Sequence, residues 1–136
     1  MLAEHCILRA GLSPGARPAT DLLSAEQLAA LMGEVRAFER WLASCQTTAP
    51  KGYIYTSLTP GEGDTASVPA TPAALEALPP GTAYVDFDPL PLQQKAGRHV
   101  LEFETFDAAL DEFFSKARLH ARLQPLLGLP RCGLAA

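Results

Sequence analysis

Few residues in this chain stand where chemistry would need them. Glu4, His5 and Cys6 set a carboxylate, an imidazole and a thiol side by side. Consecutive side chains on a helix point about 100° apart, so these three do not converge on one atom, and His5 reads as a polar residue on a helix surface. Asp86 and Asp88 are two apart. On a strand both carboxylates share a face, the start of a divalent-cation site, but no third oxygen-rich segment accompanies them and Asp88 before Pro89 suits a turn. An enzymatic role would need a pocket joining these carboxylates to a histidine. Ser13, Ser24, Ser44 and Ser115 lack the G-x-S-x-G setting of an activated nucleophile. Gly61 and Gly63 do not precede a helix and match neither phosphate-loop pattern. Cys6, Cys45 and Cys132 are widely spaced with no CxxC pair, so free, mostly buried thiols in a reducing, intracellular compartment are expected. No catalytic residue, cofactor or metal is expected.

One charge feature remains. From Lys116 onward stand Lys116, Arg118, Arg122 and Arg131, with His120 and no acid, whereas residues 86–112 hold seven acids against Lys95 and Arg98. Complementing a helix dipole accounts for that order, and a phosphate-facing end is the alternative.

The elements that position these residues follow from patterning. Leu2, Cys6 and Ala10 lie four apart on one face of a short helix, Gly11 suits its left-handed end, and Pro14 and Pro18 prevent its resumption. Ser24 with Gln27 has capping-box spacing, and Leu28, Leu31, Val35, Phe38 and Leu42 then form an apolar stripe through Ser44. The β-branched and aromatic run Lys51–Leu58 predicts a strand. Residues 59–82 hold five of the twelve prolines and predict a mobile insertion, with Thr71-Pro72 starting one short helical turn that Pro79-Pro80-Gly81 stops. Strands are predicted over Ala83–Phe87 and His99–Phe103, the latter with Val100 and Glu102 opposite Leu101 and Phe103. Thr105 caps a helix bearing Phe106, Leu110, Phe113 and Ala117, which Pro125 ends after Gln124. The fold class is therefore α+β: an N-terminal helical part, a small antiparallel strand set and a C-terminal helix. The parts run 1–49 (helical), 50–58 (strand), 59–82 (insertion), 83–124 (strands and helix) and 125–136 (divergent tail).

The chain has 136 residues, 48% hydrophobic and 19% charged, with a net charge of −4. This is the balance of a globular domain rather than a disordered tail, and it argues against unaided binding to bulk nucleic acid. No run of about 18 apolar residues predicts a membrane span, and Glu4, His5 and Arg9 interrupt the first ten residues as no secretory signal would allow.

Four blocks in order resemble the NFACT N-terminal region of ribosome quality control factors, the nuclear export mediator factors of animals and fibronectin-binding protein A homologues of bacteria. They are LAEHCILRAGL (Leu2–Leu12), the late aromatic pair Phe38 and Trp41 followed by KGYI (Lys51–Ile54), YVDFDPLPLQQ (Tyr84–Gln94), and HVLEFETFDAALDEFFSK (His99–Lys116). The resemblance implies a helix-hairpin-helix remnant at the start and the beginning of a coiled coil near Lys116–Gln124. It implies a noncatalytic, cytoplasmic fragment. The parent of such a fragment binds stalled large ribosomal subunits and tRNA, promotes C-terminal elongation and degradation of the nascent chain, and works with a ubiquitin ligase. The family's residues for elongation lie upstream of the matched blocks, so no position here inherits them. Lys51, Arg98, Lys116, Arg118 and Arg122 are the candidates for phosphate or RNA contact. The alternative reading is a protein-interaction or scaffold module without nucleic-acid contact, docking through its two amphipathic helices, and exposed apolar surface on Phe38, Leu42, Phe106 or Phe113 would favour it.

Overall fold

The computed structural model describes residues 2–13, 23–61 and 67–127. The expectations for Pro14 and Pro18, for Gly63 and for residues 128–136, with Pro130, Arg131 and Cys132, lie outside these, as does the side chain of His120. The elements run α1 (Leu2–Arg9), α2 (Ala25–Ser44), β1 (Gly52–Thr56), β2 (Ser67–Pro69), α3 (Pro72–Glu76), β3 (Tyr84–Asp88), a 3-10 turn (Gln93–Lys95), β4 (Val100–Phe103) and α4 (Phe106–Leu127). The α+β class is as expected.

Local chemistry sets most of the boundaries. Gly11 ends α1 at φ +75°. At the start of α2 the Gln27 amide donates to the Ser24 hydroxyl while the Gln27 side chain accepts from the Ser24 amide, which satisfies two otherwise orphaned donors. Thr71 and Thr105 cap α3 and α4 in the simpler way, each hydroxyl accepting one amide. Ser24→Ala is expected to lower stability by about 1 kcal/mol, read as a shifted denaturation midpoint together with lost helical circular dichroism.

The sheet has strand order β2-β4-β1-β3. β1 pairs antiparallel with β3 and β4, but β2 runs parallel to β4, so the sheet is mixed rather than purely antiparallel. The correction comes from the proline-rich segment, expected as a mobile insertion. Its residues Ser67–Pro69 add the fourth strand, and Ala70, Leu75 and Leu78 pack on the core. Burial of these apolar side chains offsets the poor strand propensity of the surrounding prolines.

The two faces of the sheet differ in chemistry. Ile54, Leu101 and Phe103 point to one face, where Ala109 of α4 closes the core. Between Tyr55 and Thr56 the pairing shifts register, so that Val85 is passed over and left 51% exposed. Skipping that residue lets Tyr84 and Phe87 both turn toward α4, where Phe87 meets Phe113 at 4.8 Å, Phe114 at 5.7 Å and Phe106 at 6.1 Å between ring centroids. Gly52 lets α4 sit close: a Cβ there would overlap Ala109 Cβ and stand 2.9 Å from the Thr105 carbonyl oxygen. Phe106 N–H donates to Pro50 O at 2.8 Å, pinning the helix start to the strand start. α4 continues to Leu127, so it passes Pro125 and ends three residues beyond Gln124. A proline this close to a terminus forfeits one backbone bond among the few left, and helix ends are soft by a residue or two.

The stripe of α2 gives the expected helix, but that helix buries no residue. Phe38, Trp41 and Val35 are half-buried, whereas Leu28 is 51%, Met32 43% and Leu42 54% exposed. Among the described residues the helix packed on α2 is α1, eight residues against its twenty.

Candidate functional site

The polar face of the sheet carries Tyr55, Asp86 and Asp88. Register aligns Tyr55 with Asp86 and Tyr53 with Asp88, so both carboxylates share a face, as their spacing predicted. What they hold is an ammonium group. Lys95 Nζ lies 2.6 Å from Asp86 Oδ2 and 2.5 Å from Asp88 Oδ2, and 4.7 Å from the Tyr55 ring centroid. Lys95 is 11% and Asp88 12% exposed. Burial would lower the Lys95 pKa, but its bonds to the two carboxylates outweigh that and raise it. Burial raises Asp88 despite the lysine. Burial pushes Asp86 the same way, but its bonds to Lys95 and the Phe87 amide prevail and hold it below the usual range.

Two further bonds fasten the segment that brings Lys95 here. Leu92 N–H donates to the buried Tyr55 hydroxyl at 3.3 Å, and Gln93 N–H donates to His5 Nδ1 at 2.8 Å. His5 is 7% exposed, which corrects its expected place on a helix surface. Its burial partner is a turn 88 residues away in sequence, which local periodicity does not reveal. An imidazole accepting at Nδ1 carries its neutral-state proton on Nε2, a tautomer assigned from this network. Cys6 beside it is buried and free, and Cys45 is half-buried and free.

α1, α2 and the Leu90–Pro91 corner form a half-open cleft of about 190 Å³ lined by His5, Arg9, Glu34, Phe38, Trp41 and Pro91, among others. Phe38 and Trp41 stack at 5.6 Å, and Arg9 Nε meets Glu34 Oε2 at 2.8 Å. Asp86 and Asp88 do not line this cleft, so the pocket joining two carboxylates to a histidine does not form there. Among the described residues no group of three or more His, Cys, Asp or Glu is placed to hold a metal ion.

The candidate phosphate contacts divide. β1 and β4 are antiparallel, with Gly52 opposite Phe103 and Tyr55 opposite Val100. Lys51 and Arg98 therefore stand at opposite ends of that ladder. Lys51 is bound to Glu102 at 2.6 Å, and that bond raises its pKa. Lys116 rests on the Tyr84 ring, 3.9 Å from its centroid, and burial lowers its pKa. The Tyr84 hydroxyl donates to Glu112 at 2.9 Å; burial first and this carboxylate second raise the phenol pKa. Arg98, Arg118 and Arg122 are exposed. Arg98 stands near enough to Asp86, on the polar face of the sheet, to act on its pKa, whereas Arg118 and Arg122 are carried by α4, which packs on the other face. The signal missed in the sequence is Lys95, whose pairing with Asp86 and Asp88 needed the turn at Gln93–Lys95 to be known.

Fold and junction together define a small α+β module whose buried polar side chains hold its parts against one another. Over 115 residues the chain is 30% identical to the mouse protein named ribosome quality control complex subunit NEMF, a match covering 85% of this chain and 10% of that protein. The chain thus spans about a tenth of the length of this curated relative. No protein-family model and no solved structure matches the chain. Among the described residues no helix is long and apolar enough to cross a membrane.

Proposed function

We propose that the chain is a noncatalytic module of the NFACT N-terminal kind, a segment of a ribosome quality control factor that acts in the cytoplasm. In this reading its parent binds stalled large ribosomal subunits and tRNA, promotes C-terminal elongation and degradation of the nascent chain, and cooperates with a ubiquitin ligase. The observation that carries it is the 30% identity over 115 residues to a ribosome quality control complex subunit.

Phosphate contact falls on the exposed arginines, Arg98, Arg118 and Arg122. Lys51 and Lys116 are secondary, because Glu102 and Tyr84 already engage them. Arg118 and Arg122 on α4 release about two counterions, so tRNA affinity measured by filter binding should fall with a log–log salt slope near −1.4 to −1.8. Reversing Arg118 and Arg122 together to Glu is expected to weaken binding by about tenfold or more near 0.1 M salt and to flatten the slope. An unchanged affinity and slope would remove these residues from the interface.

The second reading, a protein-interaction module without nucleic-acid contact, is favoured by one observation. Leu28, Met32 and Leu42 leave an apolar strip of α2 in solvent, of the kind that marks contact surfaces. Salt-independent association with a protein partner, together with no tRNA affinity, would select this reading.

A further inference from the structure

We propose that His5 is the latch of a proton-sensitive joint between the α1/α2 pair and the sheet. α1 packs on α2 and on the Gln93–Lys95 turn, while Phe38 and Trp41 reach the Leu90–Pro91 corner across the cleft. Among the described residues, Gln93 N–H donates across from the turn to His5 Nδ1 on α1 at 2.8 Å. An imidazolium has a proton on each ring nitrogen and accepts nothing. Protonating His5 therefore sets Nδ1–H against the Gln93 N–H, donor against donor, at a site 7% exposed.

The surroundings define which part moves. The turn is tied to the sheet independently of His5, by Lys95 to Asp86 and Asp88 and by Leu92 N–H to Tyr55. Opening at His5 thus loosens α1 against the turn and leaves the turn in place on the sheet. The charged groups around the ring are Glu4 and Arg9 on its own helix, Glu34 on α2 bound to Arg9, and Lys95 on the turn, held by its two carboxylates. Cys6 is the neighbouring buried thiol.

Burial first, and Arg9 second, keep the ring neutral, and Glu34 opposes them. The folded pKa lies below the ordinary value of 6.5. The unfolded chain therefore takes the proton first as pH falls. The latch is at full strength above about pH 6.5 and weakens on acidification until the folded ring is also protonated.

The test is amide hydrogen exchange followed by NMR on the full chain, with the His5 ring resonances reporting its titration. Protection of the Gln93 amide should fall by about tenfold or more as His5 gains its proton, while the Ile54 and Leu101 amides in the sheet keep theirs. In His5→Asn the side-chain oxygen can take the place of Nδ1 as acceptor and does not titrate, so Gln93 should stay protected across the same range. The proposal is overturned if Gln93 protection is flat through the His5 titration. It is equally overturned if the sheet amides are lost in the same step, or if His5→Asn follows the wild-type pH course.

Discussion

Replacing Gly52 by alanine is expected to destabilise the fold by about 3 kcal/mol, the upper end for overpacking a tight contact. The new methyl group would overlap Ala109 Cβ and approach the Thr105 carbonyl oxygen to 2.9 Å and Phe106 Cα to 3.0 Å. Two of those three neighbours are backbone, so no rotamer change relieves them and α4 must lift off β1. The layer it would open holds Ile54, Leu101 and Ala109, all at 0% exposure. Thermal unfolding should show a Tm lower by roughly 8–10 °C, at about 3 °C per kcal/mol for a chain of this size. Adding Ala109→Gly removes only the side-chain overlap and introduces a helix glycine, itself unfavourable by about 1 kcal/mol. The double variant should therefore recover little. A Gly52→Ala protein as stable as wild type would mean that α4 does not pack at this distance.

Lys95→Met should cost about 3 kcal/mol at neutral pH, because it leaves Asp88 buried with no counter-charge. Asp86 is 46% exposed and Asp88 12%; water screens the former, so Asp88 carries the effect. The pH dependence has a definite sign. Burial already raises the Asp88 pKa in the fold, and loss of the ammonium raises it further. Below that raised value the folded state binds a proton that the unfolded state does not. The variant should therefore gain stability relative to wild type as pH falls from neutrality. Lys95→Met combined with Asp88→Asn removes the unpaired charge and should regain most of the loss. Urea midpoints of wild type and the two variants across pH measure this. A Lys95→Met midpoint equal to wild type at neutral pH would place the lysine outside the network.

The contrast between these residues explains what the sequence could reveal. Ser24, Thr71, Thr105 and Gly11 act within three or four residues of themselves, so their spacing predicted the caps and the helix end that formed. The shared face of Asp86 and Asp88 is equally local, a consequence of the two-residue period of a strand. Their partner is not local in the same way. Lys95 reaches them only because the chain turns after Pro91 and folds back over Tyr55, and nothing in its neighbours marks that path. His5 was placed on a surface for the same reason, since the group that buries it lies 88 positions away. The exposed strip on α2 shows the converse. A regular stripe fixes a helix and its apolar side, but the size of the neighbour decides how much of that side is covered. Lys51 and Lys116 looked like free cations in a linear reading, and cross-strand pairing with Glu102 and the face of Tyr84 engaged them.

We propose that this module belongs to a factor that recognises the large ribosomal subunit. This is tested most directly by pelleting the chain through a sucrose cushion with purified large subunits and, separately, with small subunits at the same low salt. The chain should co-sediment with large subunits, be released as salt is raised, and stay in the supernatant with small subunits. Equal pelleting with both subunits, or none with either, would contradict it.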